Sequence, residues 1–257
     1  MNKTKIEWVR NKDGTQGYTW NPVTGCLGPD GTPENPKRCT YCYAHKLAKG
    51  RLKSQYLGIP PYPDDLTPAL FVPKTNKSDP FVPRFWRHRL REPFWHRKPC
   101  NIFVCSMGEL FSEYYPASWL GNILHTFYGC PQHTFLILTK NPPRYERICL
   151  PKNVWLGVSI NRREDWHRLS TITPYGVYRR FISFEPLLDY VQTSSSLGVE
   201  WVIVGAQTNP YRPPKKYWVE DIIYEAHRQR IPVFLKDNLK PLMGNNLRQE
   251  FPGWIEK

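Results

Sequence analysis

Six short apolar runs, recurring between residues 101 and 237, constrain this 257-residue chain more than any other feature. They are Asn101–Met107, Thr134–Lys140, Val154–Ile160, Arg180–Pro186, Trp201–Ala206 and Ile231–Asp237. Each is apolar on both faces and rich in β-branched or aromatic side chains, as strands of a parallel sheet covered by helices must be. Between them, Pro116–Tyr128 and Tyr217–Arg230 carry apolar residues at helical spacing, and Arg162–Ile172 does so more weakly. Pro116 suits a first helical turn. Strands joined by such crossovers wind in one hand, so the chain is expected to be α/β, an open parallel sheet or a partial (β/α) barrel of about six to seven strands.

The N-terminal half extends the same plan. A further strand is expected near Gly17–Pro22, followed by a polar loop and a helix from about Tyr43 to Lys53. The stretch from about residue 57 to residue 99 is dense in proline and poor in periodicity. It reads as an insertion, with a helix around Phe85–Leu90, on a single domain spanning residues 1–257. Apolar residues make up 40% of the chain and no run is long enough to span a bilayer, which excludes a helical membrane protein. With a charged N-terminus lacking the apolar core of a secretory signal, the expected location is the cytoplasm.

Polar residues at the strand ends say more than the strands. Ser106-Met107-Gly108-Glu109, Thr139-Lys140, Ser159, Ser183 with Glu185, Gln207 and Lys236-Asp237 each close an apolar run. In a β/α barrel the C-terminal strand ends share one mouth, so these groups would converge. Any one of them taken alone reads more readily as a strand end reaching water, and it is together with the cysteines that they read as a site. On the same rim falls the loop Gly25–Ala44, which places Cys26, Cys39 and Cys42 in a C-x12-C-x2-C spacing, with His45 beyond. The other four of the seven cysteines lie scattered on apolar segments, where small buried residues belong.

Two chemistries fit the three cysteines. With His45 they could close a tetrahedral structural zinc site. Alone, they could hold three irons of a [4Fe–4S] cluster and leave the fourth open. The sequence Cys39-Thr40-Tyr41-Cys42 resembles the ending of the radical S-adenosylmethionine superfamily signature, Cys-x-aromatic-Cys. That resemblance implies a cluster on Cys26, Cys39 and Cys42, with S-adenosylmethionine bound beside it for one-electron cleavage. It implies Tyr41 beside the adenine, Met107-Gly108-Glu109 at the methionine end as a partial Gly-Gly-Glu turn, and Ser159 near the ribose. The first gap, twelve residues, is longer than is usual there, and the excess can bulge out through Gly28-Pro29-Asp30-Gly31.

A second resemblance covers nearly the whole chain. Thr19-Trp20-Asn21-Pro22-Val23-Thr24-Gly25-Cys26, Leu138-Thr139-Lys140, Val154-Trp155-Leu156-Gly157-Val158-Ser159 and Ser183-Phe184-Glu185-Pro186-Leu187-Leu188 are similar to a phage-associated three-Cys-motif family, mostly of unknown function. It implies no substrate.

Lys and Arg number 36 against 22 acidic residues, a net charge of +14. A field of that sign attracts polyanions, which makes nucleic acid or a nucleotide the first partner to consider. Arg84-Phe85-Trp86-Arg87-His88-Arg89-Leu90-Arg91 interleaves cations with rings that could stack on bases, or else simply packs those rings on the domain. A second basic patch is Arg212-Pro213-Pro214-Lys215-Lys216. The leading expectation is a radical S-adenosylmethionine enzyme that modifies or repairs a nucleic acid component and draws on an electron donor. Lys140, Glu185, Lys236 and Asp237 are its candidates for orienting substrate or moving protons. The alternatives are a zinc-stabilised binding protein, or an adaptor for a companion phage protein.

Overall fold

A computed structural model describes residues 1–58, 78–142, 148–170, 179–193 and 196–253. Its centre is an eight-stranded sheet of β1 (Asn2–Lys3), β2 (Tyr18–Trp20), β5 (Asn101–Val104), β6 (Thr134–Thr139), β7 (Val154–Ser159), β8 (Arg179–Phe184), β9 (Trp201–Val204) and β12 (Val233–Leu235), in that spatial order. Two small pairs stand apart, β3 (Val23–Thr24) with β4 (Arg84–Phe85), and β10 (Gln207–Thr208) with β11 (Tyr211–Arg212). Only the β1–β2 pairing in the large sheet is antiparallel. From β2 to β12 the strands lie side by side in chain order without a reversal. Right-handed crossovers then bring the connecting helices to one face.

That face is packed by α4 (Ala117–Gly129) and α6 (Lys216–Arg228). Trp119, Ile123 and Phe127 of α4, and Val219, Ile222 and Ala226 of α6, are buried in one cluster with Ile102, Ile137, Val158, Ile182, Val204 and Leu235 from the strands. Alternate strand residues point the other way: Phe103, Leu136, Trp155, Phe181, Trp201, Ile203 and Phe234 form a second core around Trp8. The Trp8 ring lies 4.8 Å from Phe103 on β5 and 6.1 Å from Trp201 on β9. On a flat sheet two strands four positions apart would be about 19 Å from each other. One indole reaches both because the sheet curls around it.

The expected strands thus all form, trimmed at their ends. Several expected helices do not form as read. The Tyr43–Lys53 segment is two helices, α1 (Tyr43–Lys49) and α2 (Lys53–Leu57), broken at Gly50. The helix expected around Phe85–Leu90 is instead β4 followed by a 3-10 turn at Arg87–Arg91, because Arg84 and Phe85 are drawn into pairing with β3. Among the described residues α3 (Glu92–Trp95), α5 (His167–Ser170) and α7 (Lys240–Met243) are further short helices. Of Arg162–Ile172, a 3-10 turn at Arg163–Trp166 runs into α5, and the last two residues lie outside the described residues, as do residues 59–77 of the proline-rich insertion. Among the described residues no helix is long and apolar enough to cross a membrane.

Candidate functional site

The curled sheet carries its small and polar residues at the C-terminal strand ends, above the aromatic core, and the cysteine loop folds over them. Gly25 donates its N–H to the Met107 carbonyl (2.9 Å) and accepts from the Glu109 N–H (3.2 Å) and the Tyr115 hydroxyl (3.2 Å). This close approach needs a glycine at 108, where a Cβ would sit 2.8 Å from the Gly25 carbonyl oxygen, and Gly25 has a positive φ and would set a Cβ 2.7 Å from the Phe81 carbonyl oxygen. The Cys26 N–H donates to the Phe81 carbonyl (3.1 Å), and Arg38, paired with Asp79 at 2.7 Å, donates to the Cys26 carbonyl (2.9 Å). Cys42 caps α1.

All three cysteines line one cavity of about 440 Å³. Each sulfur receives an N–H: Cys26 from Gly28 (3.2 Å), Cys42 from His45 (3.4 Å) and Cys39 from the Lys140 ammonium (3.7 Å). Burial, reinforced by the Glu109 charge, pushes the Cys26 thiol up to about 12, and burial raises Cys42 as well. Thiols so reluctant to ionise are poor free nucleophiles, and a cation is what draws them into the thiolate form. The His45 imidazole does not line the cavity; it packs on Phe81, with ring centroids 5.2 Å apart, and its Nε2 is buried without a hydrogen bond. Among the described residues no three His, Cys, Asp or Glu side chains are grouped to ligate a single ion.

The same cavity collects Tyr41, Gly108, Glu109, Lys140, Ser159, Glu185 and Lys236. Glu109 is buried and well supplied with donors: Oε1 accepts from the Thr139 hydroxyl (2.6 Å) and the Phe111 N–H (2.9 Å), and Oε2 from the Lys140 N–H (3.2 Å). Burial raises its pKa and these bonds oppose the rise. Lys236 is ion-paired with Glu185 across Gly205, where a Cβ would meet Lys236 Cδ at 3.0 Å and Glu185 Cγ at 3.2 Å. Burial disfavours the Lys236 ammonium, yet Glu185, Glu7 and Asp237 together hold its pKa above the ordinary value. Ser159 faces the cavity beside Ser183, its register partner on β8, whose buried hydroxyl has no hydrogen bond.

Two expected residues fall outside. Met107 packs its side chain with Ala44, Ala48, Tyr56 and Trp86, in a separate apolar cluster beneath α1. Asp237 turns away to Lys240 (2.8 Å) and Gln249 (3.2 Å). One residue was missed: Asn161, buried two positions beyond β7, accepts from Lys140 Nζ (2.7 Å) and Tyr41 OH (3.2 Å) and donates to the Pro186 carbonyl (2.8 Å). Its signal was faint, a lone amide just past the last residue of an apolar run.

The arginine-aromatic stretch is divided between core and surface. Arg84 is fully buried, its guanidinium bonded to the carbonyls of Asp79, Pro80 and Val82. Phe85 stacks on Trp119 at 5.2 Å, the Trp86 indole donates to Thr24 (2.8 Å), and Arg89 lies 3.8 Å over Trp86. These rings pack on the domain and offer no face to a base. Arg87, His88 and Arg91 remain at the surface with Trp95, which is 70% exposed.

A mostly parallel α/β domain with three thiols, two carboxylates and two lysines on one cavity is the class that the fold and the site define. A family model described as a protein of unknown function (DUF5131) matches residues 3–242, so the chain belongs to that family. Neither a curated protein nor a solved structure matches it.

Proposed function

We propose that this protein is a radical S-adenosylmethionine iron–sulfur enzyme of phage-associated type, built on a partial (β/α) barrel, that modifies or repairs a nucleic acid or nucleotide. The observation that carries the reading is the set of three sulfurs on one cavity, each with an N–H aimed at it. Donors of that kind are what ligating thiolates gather around themselves, and they suit a sulfur that carries charge. The donor set therefore fits a [4Fe–4S] cluster held by Cys26, Cys39 and Cys42. When bound, the cluster supplies reductive one-electron cleavage of S-adenosylmethionine, with the electron delivered by an external donor.

The protein's own residues bind and orient. Oε2 of Glu109, which accepts only the Lys140 N–H, retains acceptor capacity for the methionine amine. Gly108 contributes by letting the cysteine loop close on it, its own N–H being donated to Cys105. Tyr41 presents its ring to the cavity with its hydroxyl held by Lys140 (2.8 Å), the placement an adenine would need, and Ser159 offers a hydroxyl for the ribose. Glu185 and Lys236, one acceptor and one donor on the same cavity, orient the substrate.

The test is S-adenosylmethionine cleavage by anaerobically reconstituted protein given dithionite. 5′-Deoxyadenosine should accumulate with the native chain and be lost in Cys39→Ala together with the cluster's visible absorption. Retention of both in Cys39→Ala would refute the assignment.

A further inference from the structure

Lys140 brings a full positive charge to one of the three thiols. Its Nζ stands 3.7 Å from Cys39 Sγ, 2.8 Å from the Tyr41 hydroxyl and 2.7 Å from Asn161 Oδ1. An ammonium has three N–H donors, and here each has one acceptor. The acceptor that aims it is itself fixed: Asn161 is 3% exposed, donates its amide to the Pro186 carbonyl and its backbone N–H to Asp165 (2.8 Å). The same ammonium lies 4.9 Å from the centre of the Tyr41 ring. Cys26 and Cys42 receive only neutral backbone amides. The three sulfurs are therefore electrostatically unequal, and Cys39 is the one set against a cation.

We infer that Lys140 is a positioning residue that acts through Cys39: it raises the reduction potential of the cluster and pins the Tyr41 ring beside it, an inference that rests on the functional reading above. Reduction by an external donor adds one electron, and so one negative charge, to the cluster and its thiolates. A cation fixed beside one of those sulfurs stabilises the reduced form more than the oxidised form. Removing it lowers the potential without removing a ligand. Lys236 supplies the internal comparison: it lines the same cavity, but its ammonium is paired with Glu185 rather than with a sulfur.

The experiment is a dithionite titration, with redox dyes, of anaerobically reconstituted native protein, Lys140→Met, Lys140→Arg and Lys236→Met, followed by visible bleaching and by the electron paramagnetic signal of the reduced cluster. Lys140→Met should keep native iron and sulfide while its reduction becomes on the order of tenfold less favourable, about 59 mV for a one-electron couple. Lys140→Arg, which keeps the charge, should recover most of the shift, and Lys236→Met should titrate like the native protein. A full cluster with an unmoved midpoint in Lys140→Met overturns the inference alone. A native chain that takes up no cluster overturns the functional reading and this inference with it. Should Lys140→Met shed its cluster, Asn161→Leu keeps the charge but removes the acceptor that aims it. A lowered midpoint there supports the inference, and an unchanged one overturns it.

Discussion

At Gly108 a single missing carbon decides whether the cysteine loop can close. A Cβ there would lie 2.8 Å from the Gly25 carbonyl oxygen and 3.0 Å from its nitrogen, and backbone cannot retreat as a side-chain tip can. Gly108→Ala should cost about 1 to 3 kcal/mol in urea unfolding, typical of overpacking, and should weaken retention of whatever Cys26 ligates. His133 offers a test by pH. Its Nε2 lies against the Pro93 carbonyl (3.0 Å), and burial lowers its pKa below 6.5, a fall that the neighbouring backbone groups only partly offset. The unfolded chain then binds the proton more readily, so the stability gained by keeping His133 neutral is present above pH 6.5 and is lost as the pH falls through the folded value. His133→Gln should flatten the stability profile below neutrality, as read from urea midpoints at several pH values. An unchanged slope would mean that the ring titrates freely in the fold.

At the scale of elements, the segment around β4 holds the cysteine loop in place. β4 pairs with β3 immediately before Gly25, and Phe81 accepts the Cys26 N–H. Arg84 ties the approach to β4 together through three carbonyls, and a buried carbonyl left without its donor costs about 1–3 kcal/mol. Arg84→Met should therefore open this region before the sheet, and Cys26 should alkylate faster than Cys105 in native buffer when followed by mass spectrometry. Equal protection of Cys26 in variant and native protein would show that the loop stands without it. The parallel strands were legible in the sequence because burial on both faces leaves uninterrupted apolar runs, and most strand-end polar groups converge as their positions imply. Arg84 was not legible, because an arginine beside two aromatic rings has one spelling whether it grips a phosphate or is sealed by carbonyls. Trp8 was equally hidden: it sits in a short N-terminal stretch without periodicity, yet its ring completes the inner core. Met107 and Asp237 show the limit of reading strand ends, since a one-residue step along the chain turns a side chain to another face.

For the whole molecule, the proposed function assigns the net charge of +14 and the cavity to different parts of a nucleic-acid partner. On that proposal the charge would draw in a polyanion over distances set by salt, and the groups in the cavity would select the part that reacts. Arg212 on β11, opposite Gln207 of the cavity rim, and Lys215 and Lys216 at the start of α6 are exposed. Replacing all three with alanine should weaken oligonucleotide binding at low salt. The slope of log affinity against log salt should fall by roughly 0.7 for each single-strand phosphate that is no longer neutralised. An unchanged slope would place the nucleic acid elsewhere. What the three sulfurs hold decides the chemistry of the whole molecule, and it is read from iron, sulfide and zinc analysis, with a visible spectrum, of protein purified and reconstituted without oxygen. A radical enzyme of this kind requires brown protein with iron and sulfide in equal amounts, lost when Cys26, Cys39 or Cys42 is replaced. Colourless protein that holds zinc alone and accepts no cluster would contradict it.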